Sequence, residues 1–226
     1  MAERKEPYKG INETLLAIRE QIIDSLDYCA GQFIVKTPLQ LFQLLKSNLV
    51  YKNDPQGIEL LTLHDLNCLE EIPENEPTIE GNSAFKANWV FKRFGLPCFA
   101  DDTGLEVRAL EGAPGVHSAR YAGAARNDAA NMDKLLDALK PFSDRTAQFK
   151  TVITFRDQNS EYQFTGVVTG QIGLSKKGEQ GFGYDPIFIP EDAVQTFAEM
   201  TMLQKNKYSH RARAMAQFLA FLATPD

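Results

Sequence analysis

The sequence predicts an α/β protein with a mixed β-sheet, and two observations support this class. Segments with apolar residues at helical spacing alternate with short strand-like segments, as expected when helices pack on a sheet. Two strand-like segments also follow each other directly across a turn at 157–160, which adds a hairpin to the sheet. A chain of 226 residues with 43% hydrophobic content can bury a sizeable core as one large domain, with or without an appendage.

The first part of the chain carries two helical patterns. Apolar residues recur at helical spacing over 12–26 after a plausible cap at Asn12, and Pro38 opens a second pattern. Between them, the FIVKT stretch at 33–37 is compatible with a strand. We therefore divide the chain into a helical extension at 1–30 and a main domain at 31–226.

The middle of the chain alternates strands, loops and a helix. Residues 58–63 and 96–100 have the composition of strands, 71–81 that of an acidic loop, and 82–95 that of a helix ending at Gly95. Gly104 is expected to permit a turn after the second strand, before 105–107 resume an extended run.

The second half predicts one helix, a hairpin and a final helix. The helix covers 127–140 and begins near Asn127 or Asp128. The hairpin strands are expected at 146–157 and 161–174, and a glycine-rich loop at 178–190 enters another strand. The final helix covers 209–222, with Ser209 as a possible cap.

Charge and cysteine content exclude several classes of protein. The chain has 24 Lys and Arg against 30 Asp and Glu, a net charge of −6, which gives no general attraction for DNA or RNA. Its three cysteines, Cys29, Cys68 and Cys98, have no paired metal-ligand or disulfide spacing. No apolar run reaches the roughly 20 residues that cross a bilayer. We expect a cytoplasmic protein with neither nucleic-acid nor membrane partners.

An aspartate pair follows the buried strand at 96–100. Neighbouring side chains of a strand point to opposite faces, so we expect Asp101 and Asp102 to divide their roles. One would face a reacting phosphate and its metal, and the other would hold the turn. An Asp pair that only caps a turn is an equally good interpretation of this segment alone.

Other candidate groups are dispersed along the chain. Glu74 lies in the acidic loop, and Lys86 is one helical turn from Asn82. The GFGYD segment at 181–185 suits a loop that brings Phe182 against a flat ligand, although Phe182 in the core explains it as well. Cations gather in KNKYSHR at 205–211, at the start of the last helix, where backbone N–H groups favour anions. No GxxxxGK[ST], GxGxxG, HExxH or GxSxG motif is present.

Four blocks in this order give the sequence a family resemblance. They are ADDTGLEV at 100–107, ALEGAPGVHSARYAG at 109–123, GFGYDPIF at 181–188 and KNKYSHR at 205–211. Over about residues 58–222, the chain resembles the inosine triphosphate pyrophosphatase family. The resemblance implies an elongated mixed sheet with flanking helices, two lobes around a central cleft, and a homodimer. It also implies Mg²⁺-dependent hydrolysis of ITP, dITP and XTP to the monophosphate and pyrophosphate.

The resemblance also implies roles for particular residues. Asp102 is the catalytic residue and binds Mg²⁺ together with Glu74, Thr103 contacts the substrate, and Lys86 is directed at the phosphates. The remaining substrate-binding residues are Phe182, Gly183, Tyr184, Asp185, Lys205, His210 and Arg211. In this interpretation, Asp102 or a metal-held water supplies the nucleophile, and Lys86 neutralises the leaving pyrophosphate. Donors aimed at O6 of the base select 6-oxo purines.

The chain departs from the family at its front. Members typically have a [ST]xNxxK loop that cradles the triphosphate, whereas residues 32–45 contain Thr37 but neither the Asn nor the spaced Lys. Two other functions therefore stay open. The protein could bind nucleotides with impaired catalysis, or it could be a scaffold whose front helices dock a partner.

Overall fold

The structure is a computed structural model that describes residue 63 and residues 66–201, 204–205 and 207–223. The predicted front helices, the FIVKT strand, most of the predicted strand at 58–63 and the domain boundary after residue 30 lie outside these residues. The expectations that concern them remain predictions.

A five-stranded sheet forms the centre of the described part. Its strands are β1 (Cys98–Val107), β2 (Pro114–Gly115), β3 (Thr146–Arg156), β4 (Glu161–Ile172) and β5 (Phe188–Pro190). They lie in the order β2-β1-β3-β4-β5, and β3 and β4 form the predicted hairpin. All pairings among the described strands are antiparallel, so the parallel pairing that a mixed sheet requires is not among them.

The described residues form three α-helices, α1 (Ile79–Phe94), α2 (Asp128–Ala138) and α3 (His210–Ala223). Their ends follow the predicted caps. Gly95 ends α1 with a φ of 65°, Asn127 caps α2, and Ser209 Oγ accepts a hydrogen bond from the Ala212 N–H at 3.2 Å. Thr78 caps α1 by accepting a hydrogen bond from the Gly81 N–H. The helix therefore begins at Ile79 rather than at Asn82.

Helices α1 and α3 cover opposite faces of the sheet. Cys98 Sγ donates to the Ala87 carbonyl of α1 at 3.2 Å, whereas the ring of Phe99 lies 4.9 Å from that of Phe218 in α3. Because successive strand residues point to opposite faces, the α1 face of β1 carries Asp102 and the α3 face carries Thr103. Helix α2 contributes Leu135 to the core on the Thr103 face.

Strand β1 continues through Gly104, so the expected turn at this residue is wrong. Residues 98 to 107 all pair with β3. A Cβ atom on Gly104 would lie 2.4 Å from the Gly115 carbonyl oxygen and 2.8 Å from Ile79 Cδ1. The glycine is needed because β2 and α1 approach β1 closely here, and not because the chain turns.

The sheet with its flanking helices confirms the predicted α/β class. In the part of the chain that the structure describes, no helix is both long and apolar enough to span a membrane.

Candidate active site

A pocket lies on the α3 face of the sheet, beneath the loop at 181–185. Its volume is about 740 Å³ including the open mouth. The predicted substrate-binding residues that line it are Thr103, Phe182, Gly183, Tyr184, Asp185, Lys205, His210 and Arg211. The fold thus brings together residues that are up to about half the chain apart in sequence.

Asp185 holds the loop that covers the pocket. Its carboxylate accepts a hydrogen bond from the Phe182 N–H at 2.9 Å and another from Lys205 Nζ at 2.9 Å. The glycines on either side of Phe182 have φ values of 80° and 61°, which residues other than glycine rarely adopt. Phe182 thereby lies at the pocket with the Lys205 ammonium 4.8 Å from its ring centre. An aromatic face beside a cation suits a flat ligand with acceptor groups.

Tyr184 joins this loop to the protein core. Its side chain is buried in the main apolar cluster, and its hydroxyl donates to the Ser118 carbonyl at 2.8 Å. Burial raises the pKa of Tyr184, so the hydroxyl keeps its proton and remains a donor. Asp128, at the start of α2, accepts a hydrogen bond from the Gly183 N–H at 2.8 Å. The sequence analysis gave Asp128 no role in the site.

His210 forms the buried end of a hydrogen-bonded chain. Its Nδ1 lies 2.6 Å from Thr151 Oγ1, which lies 2.7 Å from Thr103 Oγ1, and its ring stacks on Phe149. Burial, together with nearby cations including Arg211, lowers the pKa of His210 well below its usual value. The imidazole is therefore neutral at neutral pH. Sequence reasoning missed Thr151, since a threonine inside an alternating strand carries no signal of its own.

Arg211 lines the pocket at the start of α3. Its Nε is buried and lies 3.7 Å from Asp101 Oδ2, a distance that allows an ion pair but is too long for a hydrogen bond. Asp101 therefore faces Arg211, and the expectation that it holds a turn is wrong because no turn interrupts β1.

Glu74, Lys86 and Asp102 form an ionic cluster on the α1 face of the sheet. Lys86 Nζ lies 3.2 Å from Glu74 Oε1 and 2.8 Å from Asp102 Oδ1. The Lys86 side chain is fully buried, and the two carboxylates are nearly so. A buried ammonium requires such partners. The prediction that Lys86 is directed at the phosphates stays a prediction, because its contacts here are the two carboxylates.

The outer oxygens of the two carboxylates have further partners. Arg120 Nη2 lies 2.8 Å from Glu74 Oε2, and Asn82 Nδ2 donates to Asp102 Oδ2 at 3.4 Å. Burial raises the pKa of Asp102 to about 6; Glu74 and Asp101 also raise it, while Lys86 lowers it. A carboxylate with this pKa can accept a proton near neutral pH. Arg120 is, after Asp128 and Thr151, the third site residue that sequence reasoning missed.

The pocket and the ionic cluster lie on two sides of one strand and meet at its edge. Thr103 and Asp102 are neighbours in β1 and face opposite sides. The 3₁₀ turn Ser118–Arg120 connects the two groups, because Ser118 lines the pocket while Arg120 contacts Glu74. Asp101 and Asp102 thus point to opposite faces of the sheet, as predicted. The candidate site has residues on both faces of β1 and not on one face alone.

The donor set of the cluster fits a hard divalent cation. Mg²⁺ is usually bound by one or two carboxylates, with waters and substrate phosphates completing its ligands. In the described part of the chain, no group of three or more His, Cys, Asp and Glu side chains converges. Glu74 and Asp102 are the pair that meets this requirement, and their oxygens here contact Lys86, Arg120 and Asn82.

The fold and the site define an α/β protein whose aromatic and cationic pocket adjoins a buried pair of carboxylates. This arrangement suits a flat, anionic ligand. The chain belongs to the Ham1 family, whose sequence model matches residues 42–221.

Individual relatives agree with this assignment. The chain is 52% identical over 168 residues to a dITP/XTP pyrophosphatase of Flavobacterium johnsoniae, an alignment that covers 74% of this chain and 88% of the relative. It is also 52% identical over 166 residues to the dITP/XTP pyrophosphatase of Porphyromonas gingivalis, covering 73% and 86% of the two chains.

Solved structures of the family share the fold. The Ham1 protein of Staphylococcus aureus superposes with a TM-score of 0.69 at 41% identity, covering 71% of this chain and 84% of that one. The HAM1 protein of Coxiella burnetii gives a TM-score of 0.71 at 35% identity, with coverages of 80% and 92%.

Proposed function

We propose that this protein hydrolyses the triphosphates of non-standard purines, ITP, dITP and XTP, to the monophosphate and pyrophosphate with the help of Mg²⁺. The observation that carries the proposal is a pocket for a flat ligand that adjoins the carboxylates of Glu74 and Asp102 at the edge of β1. Relatives that are 52% identical are dITP/XTP pyrophosphatases, which supports the substrate class.

In this proposal, the pocket selects the base. Phe182 stacks on the purine, and Arg211 and His210 face its polar edge. A 6-oxo group accepts a hydrogen bond from the guanidinium of Arg211, which lines the pocket. Adenine carries an amino group at this position and would leave a buried donor unpaired, at a cost of about 1–3 kcal/mol.

The ionic cluster performs the hydrolysis. Glu74 and Asp102 would hold Mg²⁺, which stabilises negative charge on the phosphate oxygens when bound. Asp102 accepts a proton from the water that attacks the α-phosphorus, a general-base role that a carboxylate beside the phosphates can fill. Lys86 supplies positive charge toward the phosphates and stabilises the leaving pyrophosphate.

An assay of the purified full chain with ITP and Mg²⁺ tests this function. We expect release of pyrophosphate and IMP, with slower turnover of ATP. Asp102→Asn is expected to lower kcat about 10² to 10⁴ fold, while ITP still raises the melting temperature. The matched control is Asp144→Asn, because Asp144 pairs with Arg108 at the protein surface, and it should keep full activity.

Other outcomes would favour the alternatives. Stabilisation by ITP without turnover of the unmutated protein supports a nucleotide-binding role, which the altered front segment would explain. If ITP neither binds nor turns over, a partner-docking scaffold is favoured. An unchanged rate in Asp102→Asn would remove Asp102 from catalysis.

We further propose that the enzyme is a cytoplasmic homodimer without nucleic-acid or membrane partners. The acidic net charge of −6 and the free thiols of Cys68 and Cys98 support this setting. Light scattering on the eluting protein should give about twice the monomer mass of 25.3 kDa, and a monomer would contradict the dimer.

A further inference from the structure

Arg120 lies where the pocket meets the ionic cluster. It ends the turn whose residues Ser118 and Ala119 line the pocket, and it contacts Glu74 on the opposite face of β1. The Arg120 side chain is 35% exposed, whereas that of Lys86 is fully buried. Of the two cations that contact Glu74, Arg120 is therefore the one that a ligand can reach.

The backbone beneath Arg120 is firmly anchored. Asn131 of α2 accepts a hydrogen bond from the Ala122 N–H at 2.6 Å and donates to the Ala119 carbonyl at 3.1 Å. The Tyr184 hydroxyl donates to the Ser118 carbonyl. The turn thus keeps a fixed position between the pocket and the cluster. The side chain of Arg120 is long enough to move from Glu74 to a ligand while its backbone stays in place.

The charges of the cluster give a role to a cation that can turn towards the phosphates. Glu74 and Asp102 are balanced by Lys86 and Arg120, so the cluster has no net charge that attracts a triphosphate, and a side-chain cation facing the phosphates would add to the charge that bound Mg²⁺ would supply. Lys86 is held between both carboxylates in the interior. Arg120 has one carboxylate partner among the described residues, and its planar guanidinium can bind two phosphate oxygens at once.

We propose that Arg120 is a substrate-binding residue that leaves Glu74 and binds the triphosphate of the nucleotide. The inference rests on the proposed function for the nature of the ligand. When Arg120 moves to the phosphates, Oε2 of Glu74 is released from its ion pair. The Arg120 side chain then links nucleotide binding in the pocket to the loss of the ion pair at Glu74.

Binding of ITP and IMP to the full chain in EDTA, measured by calorimetry, tests the proposal. Arg120→Gln should weaken ITP binding by about 10 to 100 fold, since a hydrogen bond to a charged group contributes about 1.5–3 kcal/mol. IMP binding should change by less than about threefold, because its contacts lie mainly in the pocket. Arg120→Lys should recover part of the affinity for ITP, since it keeps the charge and loses the planar fork. Arg108→Gln is the matched control, because Arg108 forms an exposed ion pair with Asp144.

Two results would overturn the proposal. Equal losses for ITP and IMP would show that Arg120 only supports the pocket, and no loss for ITP would show that it does not bind phosphate. If Arg120→Gln does not fold, the same comparison is made with Arg120→Lys. A larger loss of affinity for ITP than for IMP in that variant supports the proposal, and equal losses contradict it. Because these measurements need no turnover, an unmutated protein that binds ITP without hydrolysing it would contradict the proposed activity and leave the result for Arg120 valid. An unmutated protein that binds ITP neither in EDTA nor with Mg²⁺ would overturn both.

Discussion

Lys86 places a full positive charge where water does not reach it, and the carboxylates of Glu74 and Asp102 keep that charge stable in the interior. The geometry also holds the two carboxylates near each other without strong repulsion. A single buried lysine on α1 therefore fixes the relative positions of the two acidic residues that the proposed chemistry needs.

Removing the Lys86 charge should destabilise the fold. Lys86→Met leaves two buried carboxylates without their shared cation, and we expect a loss of about 3–5 kcal/mol in the free energy of unfolding. Adding Asp102→Asn should restore part of this loss, because one of the uncompensated charges is then gone. Denaturant unfolding of both variants measures the effect.

The control for this experiment is Lys140→Met. Lys140 forms an exposed ion pair with Asp137, and such pairs contribute little to stability. A loss in Lys86→Met no larger than in this control would contradict the role of the buried cluster.

His210 should make the stability depend on pH. The pKa of His210 is lowered well below its usual value in the folded protein, so the unfolded chain binds a proton below about pH 6.5 while the folded chain does not. His210 therefore contributes to the free energy of unfolding above about pH 6.5. This contribution is lost as the pH falls further, by at most about 1.4 kcal/mol per pH unit. Melting curves between pH 8 and 5 should show a shallower decline for His210→Asn, and parallel declines would contradict the assignment.

At the scale of elements, the last helix approaches the sheet through a glycine. A Cβ atom on Gly166 of β4 would lie 1.9 Å from the His210 carbonyl oxygen and 2.5 Å from the Ala214 nitrogen. Both contacts are with the backbone of α3, which cannot yield as a flexible side chain can. The absence of a side chain at Gly166 thus determines how close α3, with His210 and Arg211 at its start, lies to the pocket.

Gly166→Ala should separate α3 from β4. We expect a loss of stability of about 1–3 kcal/mol from overpacking, together with weaker nucleotide binding because His210 and Arg211 move. Gly173→Ala is the matched control, since the nearest atoms to its added Cβ would be 3.5 Å away. If both variants unfold at the same denaturant concentration, the close approach of α3 does not govern this part of the fold.

At the scale of the whole molecule, the site surrounds the edge of β1. The base pocket lies on the α3 face, and the carboxylates lie on the α1 face. A nucleoside monophosphate can fill the first, whereas a triphosphate with its metal engages both. Ligands of different length should therefore stabilise the protein to different extents.

Metal removal tests this arrangement. With Mg²⁺ present, ITP should raise the melting temperature more than IMP at the same concentration, and EDTA should reduce that difference to the part that Arg120 contributes. In Glu74→Gln, the response to EDTA should be largely lost while the shift with IMP remains, because one of the two carboxylates for Mg²⁺ is gone.

Glu106→Gln serves as the control for the Glu74 variant. Glu106 is a partly buried carboxylate of β1 that pairs with Lys150, and its variant should respond to EDTA like the unmutated protein. An EDTA response that survives in Glu74→Gln would contradict the assignment of Glu74 as a metal ligand.

Local sequence patterns determined the α/β class, the hairpin and three of the helix ends. Gly95, Asn127 and Ser209 act within a few residues of themselves, through a positive φ or a single hydrogen bond to a nearby N–H. Such interactions depend only on neighbours in sequence, so composition and spacing reveal them. Motif resemblance also named half of the residues that line the pocket.

Only the tertiary structure decided which groups meet. Gly104 continues a strand because β2 and α1 press against it, and Thr151 matters because it connects Thr103 to His210. Arg120 became a candidate because a turn far from Glu74 in sequence brings its guanidinium to that carboxylate. These contacts join residues that are far apart along the chain, and their energies depend on burial and distance, which no local pattern records.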